Sequence, residues 1–394
     1  STVLWLSCLV ASVIALILVF SAPLIERFYN YPGLSLVVQV LSLSLLLNGL
    51  SAVPNGKLRR ELKFKQLAVA DIISALTSGV IAIFLAYNDF GYWSLIIQII
   101  VQSFVKLLIL FIYSKWWPIL VFKKKILMDV LSFSNYVVGF QSINYWARNG
   151  DNLLIGRVLG ADALGFYSVA YKLMMIPYKG ITGIINPSLH PILSTIQDDK
   201  ERIRKAYLKV LDIIGVVSIM VSSFMFFYSK EIVELIYGPN WEKSVAVFGY
   251  LAIVSAIQPI TATTGPVLLA ANRADLFFKT GIFSSVCYVM GFLITVQYGI
   301  AVVALGYIIT NTLISPVVFY VTYKFVLNGH FKQIMILYLK MISMFVLSYL
   351  TLFGMSQLYT ELHDIYKLII GGVMVITVTA PFYFNHIKKI VNKE

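Results

Sequence analysis

Long apolar stretches, separated by short polar turns, follow one another along nearly the whole chain. Apolar and polar residues do not alternate within them, as they would in the strands of a membrane β-barrel, so helices are predicted. A helix needs about 20 apolar residues to cross the hydrocarbon core of a bilayer. The pattern predicts twelve membrane-spanning helices, over residues 2–22, 34–53, 66–87, 91–114, 129–153, 162–195, 209–228, 243–271, 276–297, 299–323, 333–356 and 365–385.

The composition agrees with a membrane location. Hydrophobic residues make up 59% of the 394-residue chain and charged residues 12%, whereas soluble domains average roughly 45–50% and about 25%. Cys8 and Cys287 both lie within apolar stretches, and the four histidines show no metal-ligand spacing. The sequence therefore predicts an all-α polytopic integral membrane protein with no disulfide framework, no metal site and no cofactor.

The net charge of +13 is concentrated in one set of alternate loops. Because short loops rich in Lys and Arg stay in the cytoplasm, both Ser1 and Glu394 are predicted on the cytoplasmic side. This distribution sets membrane orientation, so no nucleic-acid partner is predicted. The basic loops are 57–65, 115–125, 200–209, 273–279, 324–332 and 388–393, and the opposite loops hold only Arg27, Arg148, Arg157, Lys230 and Lys243.

Two parts of the chain resemble each other at a nearly constant offset. Residues 23–32 correspond to 230–239, residues 62–66 to 276–280, and Gly91 to Gly299. Six predicted spans separate the copies, so both copies cross the membrane in the same direction and are related by an axis along the membrane normal. Two arrangements of the repeat are possible. Either the two copies are spans one to six and spans seven to twelve, or the first copy begins before Ser1. The last two spans lack the polar positions of spans five and six, which favours a first copy without its first two helices.

Polar residues follow helical spacing in the fifth and sixth predicted spans. A charge near the centre of a bilayer costs about 2.5–3.5 kcal/mol, so it requires water, a partner or a substrate. In the alternative interpretation, Arg148 and Asp151 pair with each other at the membrane surface. Asp71 is predicted to have a structural role. The predicted substrate-binding residues are Lys106, Gln141, Asn144, Arg148, Asp151, Tyr171, Lys172 and Lys179.

Basic groups outnumber acidic ones at these positions, which predicts an anionic substrate. Guanidinium and ammonium groups both bind phosphate oxygens, so a phosphate is the favoured anion. No G-x-x-x-x-G-K-[ST] loop is present, since Gly56-Lys57 is followed by Leu58, and ATP hydrolysis is not predicted. The loops are short and no nucleophile–base pair stands out, so an enzyme is not predicted.

Residues 151–177 carry the most specific family likeness. The stretch DNLLIGRVLGADALGFYSVAYKLMMIP resembles the signature of the polysaccharide transporter family. These proteins are the Wzx-type flippases of the multidrug/oligosaccharidyl-lipid/polysaccharide exporter superfamily. Residues 186–194, 197–207 and 263–266 also resemble this family.

The resemblance implies a MATE-like two-lobe bundle of fourteen helices, of which this chain would hold twelve. Residues 1–127 would form an N-lobe without its first two helices, residues 128–327 a C-lobe, and residues 328–394 two additional helices. The implied function is transport of undecaprenyl-diphosphate-linked oligosaccharides across the cytoplasmic (inner) membrane for surface polysaccharide synthesis. Basic cavity residues of related flippases hold the diphosphate, a role that would fall to Arg148 and Lys172. The implied partners are membrane lipid, the lipid-linked oligosaccharide, and polysaccharide polymerase and assembly proteins.

Three alternatives remain open from the sequence. A drug/cation antiporter of the same superfamily would use membrane-embedded acids, for which Asp71 and Asp151 are the candidates. A membrane-embedded enzyme or a scaffold of polysaccharide assembly is a second possibility. A twelve-helix sugar symporter fits the visible number of spans, but it requires spans eleven and twelve to repeat spans five and six.

Overall fold

A computed structural model of the protein describes residues 1–119, 121, 128, 145, 149–194, 200–271, 273–327, 329, 331–357 and 364–391. Within these ranges the regular structure is helical and includes no strand, which confirms the all-α prediction. The helices are α1 (Thr2–Tyr29), α2 (Leu34–Arg60), α3 (Phe64–Tyr87), α4 (Trp93–Ser114), α5 (149–158), α6 (Ala161–Ser194), α7 (Lys200–Phe227), α8 (Ser229–Tyr237), α9 (Glu242–Thr261), α10 (Thr264–Ala270), α11 (Ala274–Thr295), α12 (Ile300–Phe325), α13 (Phe331–Ser356) and α14 (Asp364–Val391).

The long helices have the length and composition of membrane spans. Among the described residues, nine helical stretches are long and apolar enough to cross a bilayer. The chain is therefore a multi-pass membrane protein. The number of twelve spans stays a prediction, because most of the fifth predicted span lies outside the described residues and because α6 and α14, which correspond to the sixth and twelfth, are not among these nine stretches.

The chain divides into two compact units, and the first of them, Ser1–Ser142, has a small apolar core around Leu58 and Leu110. Small residues such as Ala70 and Ser74 are completely buried between its helices, whereas many large apolar residues, such as Phe20, are exposed. The Ser74 hydroxyl donates to the Asp71 carbonyl of its own helix at 3.1 Å. Lipid is as apolar as a leucine side chain, so nothing drives large residues inward, while small residues let helices approach closely.

The second unit, Ile143–Glu394, is built around α9. This helix packs against α6, α7 and α12, and its Phe248, Leu251 and Val254 have no exposed surface. Together with buried residues of α6 and α12 they form a continuous apolar core. Tyr167 and Tyr307, whose polar contacts are described below, belong to this core.

The two units share one pattern of helix neighbours. In the first unit α1 packs on α2, α2 on α4, and α4 on α3; in the second, α7 packs on α9, α9 on α12, and α12 on α11. Gly91 and Gly299 precede α4 and α12, and both have a positive φ, of 52° and 100°. This correspondence matches the internal repeat that the sequence predicts. The domain boundaries after residues 127 and 327 stay predictions.

The last two helices pack on α7 within the second unit. Lys340 of α13 forms an ion pair with Asp212 of α7 at 2.9 Å, and each side chain is about a quarter exposed. The ring of Phe226 in α7 lies against Phe345 and Tyr349 of α13. Sequence analysis alone does not reveal this pairing, because 128 residues separate its two charged partners.

We expect Gly49→Leu to disrupt the packing of α2 on α1. A Cβ atom at Gly49 would lie 2.8 Å from the Cβ of Ala11 and 3.2 Å from the carbonyl oxygen of Ser7, and neither atom can move without α1. Overpacking costs about 1–3 kcal/mol, so the melting temperature in detergent should fall by a few degrees. Gly79→Leu in α3 is the control, since a Cβ there meets no atom within 4 Å. Equal melting temperatures for the two variants would contradict this packing.

Candidate functional site

Helix α6 carries two lysines near its middle. Lys172 and Lys179 are seven residues apart, which is close to two helical turns, so they share one face. Both are exposed, and neither ammonium group has a hydrogen-bond or ion-pair partner among the described residues. The buried side of α6 holds Tyr167, Ala170 and Met174, each without exposed surface. The helix is thus anchored on one side and presents two cations on the other.

Asp151 lies inside the second unit rather than at its surface. Its carboxylate is 1% exposed; it accepts a hydrogen bond from the Tyr167 hydroxyl at 2.9 Å and another from the backbone N–H of Asn152 at 2.8 Å. Tyr167 in turn stacks on Tyr171, with ring centroids 6.2 Å apart. This burial contradicts the alternative in which Asp151 reaches lipid headgroups, and it ties α5 to α6.

Lys106 and Asp71 form an ion pair inside the first unit. The Lys106 ammonium of α4 lies 2.5 Å from the Asp71 carboxylate of α3, with side-chain exposures of 31% and 60%. A single charged side chain within an apolar span raises the free energy of the folded protein in the membrane. The attraction between the two opposite charges offsets that cost. The contact fits the structural role predicted for Asp71 and gives Lys106 a protein partner.

A polar cavity of about 200 Å³ lies within the second unit. Its walls come from α6, α9, α11 and α12, and they combine hydroxyl, amide and aromatic side chains. The polar residues that line it are Tyr178, Gln258, Thr261, Ser284, Ser285, Tyr288, Tyr307 and Asn311.

Hydrogen bonds and aromatic contacts fix the walls of this cavity. The Gln258 amide donates to the Tyr307 hydroxyl at 2.9 Å, and the Asn311 amide donates to the Tyr288 hydroxyl at 2.9 Å. The rings of Tyr288 and Tyr307 meet edge to face with centroids 5.3 Å apart, and both contact Phe292. Helices α9, α11 and α12 thus present a preorganised surface of polar and aromatic groups.

The predicted site residues occupy separate places in the structure. Asp151 and Tyr171 meet at Tyr167, Lys172 and Lys179 share a face of α6, and Lys106 pairs with Asp71 in the other unit. Their role as substrate contacts stays a prediction. Gln141, Asn144 and Arg148 lie outside the described residues.

None of the described residues that line this cavity is among the predicted substrate-binding residues. A signal was present, because Gln258 and Asn311 are amide side chains within apolar spans, where a polar group needs a partner or a function. Tyr307 and Asn311 are also four residues apart and share one face of α12.

Comparison with known proteins identifies the family. Residues 1–246 match a family described as polysaccharide biosynthesis protein. This chain belongs to that family. Among relatives in the polysaccharide biosynthesis family, the teichuronic acid biosynthesis protein TuaB of Bacillus subtilis (strain 168) is 29% identical, over 85% of this chain and 71% of TuaB. The lipopolysaccharide biosynthesis protein WzxC of Escherichia coli (strain K12) is 26% identical, over 84% of this chain and 68% of WzxC.

Solved structures confirm the MATE-like fold of this polysaccharide biosynthesis protein. The lipid II flippase MurJ in its inward closed conformation matches with a TM-score of 0.76 and 14% identity, over 98% of this chain and 84% of MurJ. An inward-facing multidrug resistance MATE family transporter of the MOP superfamily matches with a TM-score of 0.69 and 17% identity, over 82% and 79% of the two chains. At these identities the likeness concerns the fold alone.

We expect the Asp71–Lys106 pair to be required for folding. Lys106→Met leaves the Asp71 carboxylate without its counter-charge, which should lower the amount of folded protein in the membrane several-fold. The exchanged pair, Asp71→Lys with Lys106→Asp, should restore that amount. Immunoblots of isolated membranes and thermal unfolding in detergent measure both effects.

The same exchanged pair separates a structural role of Lys106 from its predicted substrate contact. If Lys106 acts only through Asp71, the exchanged pair restores polysaccharide export together with protein level. If Lys106 also contacts an anionic substrate, protein level recovers and export does not. Wild-type accumulation of the single Lys106→Met variant would contradict the importance of the pair.

Proposed function

We propose that this protein moves lipid-diphosphate-linked oligosaccharides from the cytoplasmic to the outer leaflet of the cytoplasmic membrane, for synthesis of a surface polysaccharide. Membership of the polysaccharide biosynthesis family supports this role, and so does the fold shared with a lipid II flippase. An oligosaccharide headgroup loses its hydrogen bonds to water in hydrocarbon, which costs several kcal/mol for each unpaired group. A multi-pass protein with polar internal surfaces removes that barrier.

The observation that carries the proposal is the pair of exposed lysines on α6. Lys172 and Lys179 lie near the middle of a 34-residue helix, and the described residues supply no anion to either. A diphosphate would supply this missing negative charge. We propose that Arg148 also binds the diphosphate, because a guanidinium can hold two phosphate oxygens at once.

The proposed orientation follows from the basic loops. Ser1 and Glu394 both lie on the cytoplasmic side in this scheme, and so do Lys57 in the last turn of α2 and Lys205 near the start of α7. The protein acts as a transporter and not as an enzyme, in line with a sequence that offers no nucleophile–base pair. The oligosaccharide that it delivers is the substrate of a polysaccharide polymerase on the outer face.

The polar contacts give less support to a drug/cation antiporter. Such a protein needs carboxylates that are accessible to a cation. Asp71 is already paired with Lys106, and Asp151 is 1% exposed and hydrogen-bonded to Tyr167. The two candidate acids are therefore engaged with other groups of the protein.

Lys172→Ala should impair flipping while leaving the protein folded. Loss of one charge-assisted contact costs about 1.5–3 kcal/mol, or roughly tenfold or more in affinity. Lipid-linked oligosaccharide should then accumulate on the cytoplasmic leaflet. In intact spheroplasts, the fraction of this lipid that a membrane-impermeant oxidant reaches from outside measures the defect.

Two control variants accompany this experiment. Lys172→Arg keeps the positive charge and should retain most of the activity. Lys205→Ala makes the same chemical change at a lysine that is 74% exposed and paired with Glu201 at 3.0 Å, and it should flip normally. Normal flipping by the Lys172→Ala/Lys179→Ala double variant would refute the assigned role of these lysines.

A further inference from the structure

The cavity between α6, α9, α11 and α12 is polar but uncharged. Its described lining includes hydroxyl and amide groups and contains no Lys, Arg, Asp or Glu. An anion would call for a cationic partner, and a hard metal ion would call for carboxylates. The chemistry of the lining therefore fits a neutral group that is rich in hydroxyls.

The size of the cavity suits one ring. Its volume of about 200 Å³ is far above the roughly 10–15 Å³ that one water molecule requires. It is also below the roughly 300–1,000 Å³ of sites that enclose drug-sized ligands. A single monosaccharide ring is of the right size, and the remaining sugars of an oligosaccharide would lie outside the cavity.

The walls offer both kinds of contact that a sugar ring makes. Tyr288, Phe292 and Tyr307 form an aromatic cluster, on which the apolar C–H face of a pyranose can lie. Gln258 contributes an acceptor, because its buried Oε1 has no partner among the described residues while its Nε2 is bonded to Tyr307. A small rotation of this side chain would present the oxygen to a sugar hydroxyl, a donor that satisfies it.

We infer that this cavity binds one neutral sugar ring of the lipid-linked cargo and selects that sugar. The inference rests on the proposed flippase function, which supplies the diphosphate site next to it. Tyr178 lines the cavity, directly precedes Lys179 and is six residues from Lys172, about 9 Å along the helix axis. Around the helix axis, Tyr178 lies roughly 100–120° from the two lysines, so the inference requires the long lysine side chains and the diphosphate to span that angle and bring the attached sugar to the cavity.

A binding experiment with two lipids tests this inference. The purified protein is titrated with undecaprenyl diphosphate without sugar, and with the lipid-linked oligosaccharide extracted from the cells that produce it. We expect the sugar-bearing lipid to bind at least about tenfold more tightly, as one well-placed hydrogen bond to the sugar would provide. Equal affinity for both lipids would overturn the inference and leave the flippase function standing. Binding of neither lipid would overturn both.

Variants then locate the sugar contact. Gln258→Met and Ser284→Ala should each remove the preference for the sugar-bearing lipid and leave the affinity for undecaprenyl diphosphate within about twofold, a difference of roughly 0.4 kcal/mol. Lys172→Ala should weaken binding of both lipids. Unchanged binding of undecaprenyl diphosphate by the cavity variants also demonstrates that they are folded.

The matched control is Thr312→Val, at an exposed position next to Asn311 on α12 that does not line the cavity. It should keep the preference for the sugar-bearing lipid, whereas Asn311→Leu should lose it. A full preference in Gln258→Met, Ser284→Ala and Asn311→Leu alike would overturn the assignment of this cavity to sugar.

Discussion

Hydrocarbon offers no hydrogen-bond partner, so each polar group on a membrane-spanning helix must find one in the protein or in the cargo. This constraint explains why Ser74 bonds to its own helix and why Asp71 is paired with Lys106. It also explains the hydrogen bond between Asp151 and Tyr167 inside the second unit. The two lysines on α6 differ from these groups, because the described residues give them no counter-charge. Their partner is therefore sought in the cargo.

The same constraint determines how much the sequence can predict. Helices α1 to α4 begin within two residues of the predicted starts, and α3 and α4 end at the predicted residues, because a span needs a fixed length of apolar residues. Helices α1 and α2 each continue seven residues past the predicted end, because a helix can extend beyond the hydrocarbon core into the polar headgroup layer. Helical spacing also places Lys172 and Lys179 correctly on one face. The pairing of Lys106 with Asp71 could not be predicted in this way, since spacing within a helix identifies a face but not the neighbour that the face meets. That neighbour is decided by the packing of α3 on α4.

The uncharged cavity escaped sequence analysis for a related reason. Each of its four helices contributes only one to three polar residues, and tyrosines at helical spacing are more often packing residues than ligands. Only the tertiary structure brings Gln258 to Tyr307 and Asn311 to Tyr288. An amide side chain without a partner is unfavourable in hydrocarbon, so each amide within an apolar span indicates a position of interest. It does not indicate which other residues lie beside it in the folded protein.

Helix α6 contributes to both of the proposed contacts with the cargo, the charged one and the uncharged one. One helix carries two lysines to which the described residues supply no counter-charge, and it also contributes Tyr178 to the cavity wall. Recognition of charge and recognition of sugar thus involve separate side chains of one rigid element. The diphosphate is the same in every cargo of the proposed lipid-diphosphate-linked class, so the lysines alone cannot distinguish one oligosaccharide from another. Selectivity must come from uncharged contacts, and in the second unit these are concentrated on α9, α11 and α12. Changes on those three helices can therefore alter the preferred sugar without weakening the hold on the lipid.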